Sequence, residues 1–170
     1  KIKVSRPNRE SAAEILKVYL TNELPLDQAL VAERGGDKTK VFASLVDEVI
    51  DTIYKRTDEN RLLSIRLRSG QNKVLYRGDL VSGAILSSIV QRAKEKAIDR
   101  MIQSGQSAGL IAKDLSDSVL EEFREGEMLP PDDAAEEWLK LLDHHPEQVV
   151  GVSSFRRGRQ TEERLINQII

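Results

Sequence analysis

The 170-residue chain has no cysteine, which excludes disulfides, thiolate metal sites and thiol catalysis and fits a reducing, cytoplasmic setting. Aromatic residues make up only 4%, so no broad aromatic surface exists for stacking bases. No stretch approaches the ~20 apolar residues of a membrane span, and no secretory signal pattern is present. Neither sign of charge dominates. The 26 Lys and Arg stand against 28 Asp and Glu, and a net charge of -2 argues against a general nucleic-acid binder. What is present, 39% hydrophobic and 32% charged residues, suits a helix-rich globular domain.

Catalytic signatures are missing as well. There is no G-x-x-x-x-G-K-[ST] to cradle a phosphate chain, no H-E-x-x-H and no G-x-S-x-G. The two histidines, His144 and His145, are adjacent, so they point apart and read as surface residues rather than metal ligands. Asp47-Glu48 and Glu121-Glu122 read as solvated helix faces, not as catalytic carboxylate pairs.

Periodicity organises the rest. "KIKVS" alternates like a short strand ended by Pro7, and its opening without Met gives the chain the look of a piece of something larger. Asn8 is placed to cap a helix with Ala12, Ile15, Leu16, Tyr19 and Leu20 on one face. "TNELPLD" breaks it, and a short turn or helix over 28–33 runs into Gly35-Gly36. Asp37 caps a helix with the stripe Phe42, Leu45, Val46, Val49 and Ile53. Between 60 and 78 the period changes to two. Leu63, Ile65 and Leu67 precede a Ser-Gly-Gln-Asn turn and Val74 and Tyr76 follow it, a β-hairpin over about 62–77. Arg61, Arg66, Arg68, Lys73 and Arg77 make this hairpin basic, a surface that can meet phosphate or an acidic partner.

A long helix follows, with Leu86, Ile89, Val90, Ala93, Ala97 and Met101 on its buried face and Gly105 at its end. A helix over 111–125 carries Leu115, Val119, Leu120 and Phe123. After Pro130-Pro131, "AAEEWLKLL" reads as a short helix, "QVVGVSSF" as a strand, and the remaining "RRGRQTEERLINQII" as a frayed charged tail.

The long helix opens on Ser82-Gly83-Ala84, and glycine there costs roughly 0.5–1 kcal/mol relative to alanine. Two readings compete. Either something bulky must approach this backbone, or Ser82 is an N-cap behind which glycine is tolerated.

Three stretches together carry a family resemblance. "KIKVSRPNRESAAEILKVYL" resembles the end of an AAA+ ATPase core entering its helical lid, and "SGAILSSIVQRAKEKAI" resembles the helix opening the adenine side of that lid. The intervening Gly-Gly-Asp, Asp-Glu-Asn-Arg and hairpin resemble the lid of the proteasome-associated ATPases, the AAA ATPases forming ring-shaped complexes. The resemblance covers about residues 1–153.

It implies a mainly α fold with a small antiparallel β element: a helical lid over 1–56 and 79–126, an inserted hairpin over 57–78, and a C-terminal helix, strand and tail over 127–170. The strand at 148–153 is expected beside the hairpin, with a helix packed across the sheet. The resemblance further implies that Gly83 and Ala84 flank the adenine of ATP, that Ile15 adds an apolar contact, and that Tyr19 lies near ribose or base. Catalytic residues and magnesium ligands belong to a core lying before Lys1, so this piece is not expected to hydrolyse ATP alone. The implied partners are neighbouring subunits of a homohexameric ring, protein substrates and a 20S proteasome, in the cytoplasm, away from membranes and nucleic acid. The chain departs from proteasome-activating members at its end, "LINQII", which lacks their tyrosine-containing tail. Two other readings stay open: the lid of an AAA+ remodeller not coupled to proteolysis, and a stand-alone helical module whose basic hairpin binds an acidic partner.

Overall fold

The computed structural model describes residues 6–105, 108–124, 149–154 and 163–165. The helices are α1 (Arg9–Tyr19), α2 (Gln28–Glu33), α3 (Lys38–Tyr54), α4 (Arg77–Leu80), α5 (Gly83–Ser104) and α6 (Ala112–Arg124). The strands are β1 (Arg61–Leu67), β2 (Asn72–Tyr76), β3 (Val149–Ser154) and β4 (Glu163–Leu165). The expected strand over 1–5, the expected helix over 134–142 and both histidines lie outside the described residues.

Side-chain caps start the helices where the sequence places them. Asn8 Oδ1 accepts from the Ser11 amide at 2.8 Å, and Asp37 Oδ1 accepts from the Thr39 amide at 3.0 Å. Asp27 does the same for α2, a cap the sequence reading passed over. Gly35 and Gly36 both have positive φ, +88° and +81°, so the turn into α3 needs residues without a Cβ. Asn60 is buried and donates from Nδ2 to the Thr52 and Lys55 carbonyls, closing the C-terminal end of α3.

One apolar core unites the four expected helices. Ala12 and Leu16 of α1, Val41 to Ile53 along α3, Leu86 to Ala93 of α5, and Leu115, Val119 and Phe123 of α6 form a single cluster. α3 alone buries seven side chains, each stabilising by roughly 1.5–3 kcal/mol on removal from water. Met101 departs from expectation: it is 39% exposed, because α5 runs past the end of its cover, and Ile98 and Ile102 beside it are exposed too.

Ion pairs and hydrogen bonds join α5 to α6. Lys96 pairs with Glu121 at 2.8 Å, and Arg92 Nε and Ser88 Oγ both donate to Glu122 Oε2. Glu121-Glu122 is therefore not a solvated face, since its carboxylates lie against the neighbouring helix. Asp114, 4% exposed, takes both Nη atoms of Arg100 at 2.6 and 2.8 Å and the Ile111 amide at 3.0 Å. Arg100 also donates to the Gly109 carbonyl at 2.7 Å. This fixes the loop before α6, where Leu110 bridges Leu26 as a parallel pair.

The sheet has the order β2-β1-β3-β4, antiparallel throughout. β3 lies beside β1 as expected, while the frayed tail expected after it contributes β4 at 163–165. The register corrects the hairpin's apolar face. Leu63 pairs with Leu75 and Ile65 with Lys73, so Leu75 is the buried residue of β2, and Val74 and Tyr76 are only half-buried. A register shift at Leu62 lets that side chain pack against the helical core. The hairpin is also less openly basic than it reads. Arg77 is buried with its guanidinium over the Phe123 ring at 5.6 Å, and Arg61 pairs with Asp58 at 2.9 Å.

Packing against backbone requires glycine at 109. A Cβ there would sit well inside contact distance of the Leu26 carbonyl and the Asp27 amide, backbone that cannot move aside cheaply. Gly109→Ala should therefore cost roughly 1–3 kcal/mol and lower Tm by about 3–10 °C, measured by thermal melting followed by circular dichroism.

Candidate functional site

The N-terminal end of α5 is built by the residues before it. Leu80 and Val81 are fully buried and anchor the approach, and Ser82 is the N-cap, its Oγ accepting from the Ile85 amide at 3.3 Å. The cap predicted from the sequence is thus present. It does not by itself explain the glycine behind it. Among the described residues, and apart from its own turn and chain neighbours, no atom lies within 4 Å of where a Gly83 Cβ would stand. Gly83 has no positive φ either. None of the described residues demands glycine here, and none fills the space above it.

The four candidate residues fall on two helices that pack together. Gly83 is half-buried and Ala84 exposed, in the first turn of α5. Ile15 and Tyr19 lie one helical turn apart on α1, each half-buried against the core, so each keeps surface available to a ligand. The two helices contact each other, and Ala12, Leu16 and Leu86 belong to one buried cluster.

The surroundings include groups that sequence reading did not single out. Arg6 donates from Nη1 to the Leu80 carbonyl, and Tyr54 donates from its hydroxyl to the Pro7 carbonyl at 2.9 Å. The Tyr54 ring lies on Gly78, where a Cβ would approach its Cδ1 to 2.7 Å. Burial, and then the charge of Asp79, push the Tyr54 hydroxyl above its ordinary pKa, keeping it a donor. Asp79 accepts from the Tyr76 amide at 2.9 Å and pairs with Arg56 at 3.1 Å. The signals for these groups were slight: an Arg-Pro at the helix entry, and a tyrosine ending the α3 stripe four residues after Ile50.

Elsewhere, an open cleft of about 310 Å³ runs between α3 and α6, floored by Leu45, Val49 and Leu115 and edged by Glu48 and Asp51. Its carboxylates are already paired, Glu48 with Arg34 and Asp51 with Arg9. Among the described residues, no three His, Cys, Asp or Glu converge as a metal site, and no helix is long and apolar enough to cross a membrane.

Comparison with known proteins gives the class of this domain. Residues 7–169 match the family described as ARC, AAA+ ATPase lid domain, and the chain belongs to it. It is 35% identical over 161 residues to a proteasome-associated ATPase of Mycobacterium sp. (strain KMS), covering 95% of this chain and 26% of that protein. It is 37% identical over 159 residues to that of Nocardia farcinica, covering 94% and 27% respectively. The chain thus spans about a quarter of the length of the curated relatives it matches.

Because the lid itself does not need glycine at 83, Gly83→Ala should leave the fold intact. Tm should stay level or rise by about 2–4 °C, following a gain of up to ~1 kcal/mol in helix propensity. Calorimetry of the chain checks this; a clear fall would mean that lid atoms require the glycine.

Proposed function

We propose that this chain is the lid of a ring-forming AAA+ ATPase that unfolds proteins, in the manner of the proteasome-associated ATPases it resembles. The observation that carries the reading is the open space over Gly83, in a domain whose family is the AAA+ ATPase lid. A planar base needs a backbone without a side chain on which to lie, and Gly83 followed by the small Ala84 offers one. Ile15 gives the base an apolar contact, and Tyr19 meets its edge or the ribose.

Adenine, ribose and phosphates then fall to different parts of the machine. The lid takes the base. A core carrying the Walker motifs takes the phosphates and magnesium, which supply the hydrolytic chemistry. The domain lines follow the same division, with 1–56 and 79–126 as the lid proper, 57–78 inserted, and 127–170 appended. Closure of the lid over the base reports nucleotide state to the neighbouring subunit of a cytoplasmic homohexamer. Protein substrates and a 20S proteasome are its partners.

Ring assembly calls for apolar surface on the lid. Ile98, Met101 and Ile102 lie on one face of α5, at least 39% exposed, and suit burial against a neighbouring subunit. In the full-length protein, Ile102→Asp should shift the ring toward smaller species in multi-angle light scattering. An unchanged ring would remove this face from the interface.

The base site is tested by Gly83→Val in the full-length protein. The branched side chain fills the open space, so ATP affinity should fall at least tenfold, about 1.4 kcal/mol, while melting stays nearly unchanged. Isothermal titration decides. Unchanged affinity would leave Gly83 as a tolerated residue behind the Ser82 cap.

A further inference from the structure

The chain enters the lid at Arg6-Pro7, and two contacts tie this entry to distant parts of the sequence. Arg6 reaches the Leu80 carbonyl, 74 residues on, and Tyr54 reaches the Pro7 carbonyl, 47 residues back. Both contacts end on backbone carbonyls, so they fix the path of the chain rather than the pose of another side chain. Leu80 is two residues from Ser82, whose Oγ and carbonyl hold the Ile85 and Leu86 amides of the first α5 turn. Tyr54 in turn rests on Gly78, the second residue of α4, whose last residue is Leu80. Entry segment, end of α3, α4 and the start of α5 are therefore one clasped unit.

We infer that Arg6 and Tyr54 are positioning residues that hold the Leu80–Ser82 approach, and with it the Gly83-Ala84 turn, in register with the segment entering the lid. This rests on the reading of Gly83-Ala84 as the base platform. Neither residue belongs to the four assigned to the base. Their effect is to make the platform move with the entry segment, so that displacement of that segment reaches α5 without loss in a slack loop. Gly78 belongs to the device, because any side chain there would lift the Tyr54 ring and its hydroxyl away from Pro7.

The test uses the full-length protein with Tyr54→Phe, Arg6→Ala and the double variant. Tyr54→Phe keeps the ring on Gly78 and removes only the donor. Two ligands are titrated, ATP and inorganic tripolyphosphate, the second having phosphates and no base. Each single variant should weaken ATP binding about threefold to tenfold, the range of one lost hydrogen bond, and leave tripolyphosphate binding unchanged. The double variant should fall short of the product of the two, because both act on one segment. Amide hydrogen exchange should quicken at Ile85 and Leu86 and stay level along α6. Equal losses for both ligands, or unchanged exchange at Ile85 and Leu86, would overturn the clasp. Gly83→Val separates the two claims. If that variant binds ATP normally while Tyr54→Phe loosens the first α5 turn, the base platform falls and the clasp stands. If it binds poorly while Tyr54→Phe changes neither affinity nor exchange, the clasp falls and the platform stands.

Discussion

Burying the Asp114 carboxylate sets the arrangement of the lid. A carboxylate that is 4% exposed must find charged and polar partners, and it finds them on two segments: Arg100 of α5 and the Ile111 amide. Arg100 extends the connection to the Gly109 carbonyl, which presses the loop before α6 against residues 25–27. The apolar core would accept several packings of four amphipathic helices. The fork between Arg100 and Asp114 spans α5 and α6, and the cross-helix pairs of Lys96 and Arg92 lie in the same register.

Much of the helical layer was legible because its signals are local. Asn8, Asp37 and Ser82 are caps, Gly105 ends α5 in the left-handed conformation, and the α3 stripe has the helical period. The sheet was legible only in outline. Alternation located both hairpin strands, but Leu75 lies between Val74 and Tyr76, and the three apolar neighbours leave the face undecided until the register against β1 is known. β4 could not be seen in advance, since Glu163-Arg164-Leu165 has no strand pattern of its own and takes its form from pairing with β3. Met101 was misassigned because periodicity gives a helix its apolar face and says nothing of how far the neighbouring cover extends.

The candidate site was legible in a different way. No spacing rule points to Gly83, Ala84, Ile15 and Tyr19 as a group; resemblance did, and the structure adds that the lid makes no demand of its own for glycine at 83. Gly109, a glycine that packing against backbone does demand, stood unremarked between a helix end and a loop. Its constraint comes from backbone more than 80 residues earlier. A glycine's neighbours in sequence are a poor guide to what crowds it.

The order of the sheet also has a temporal side. β1 is an inner strand, with one flank taken by β2 a few residues later and the other by β3, whose first residue comes 82 positions after Leu67. On a ribosome adding about 5–20 residues per second, that flank waits some 4–16 seconds for its partner. For that interval a half-finished hairpin shows an unpaired row of amides and carbonyls, the kind of edge that recruits foreign strands. Arg66 and Arg68, with Lys73 across the turn, put like charges on it during the wait. Like charges beside an unpaired edge disfavour its pairing with a second copy of the same strand.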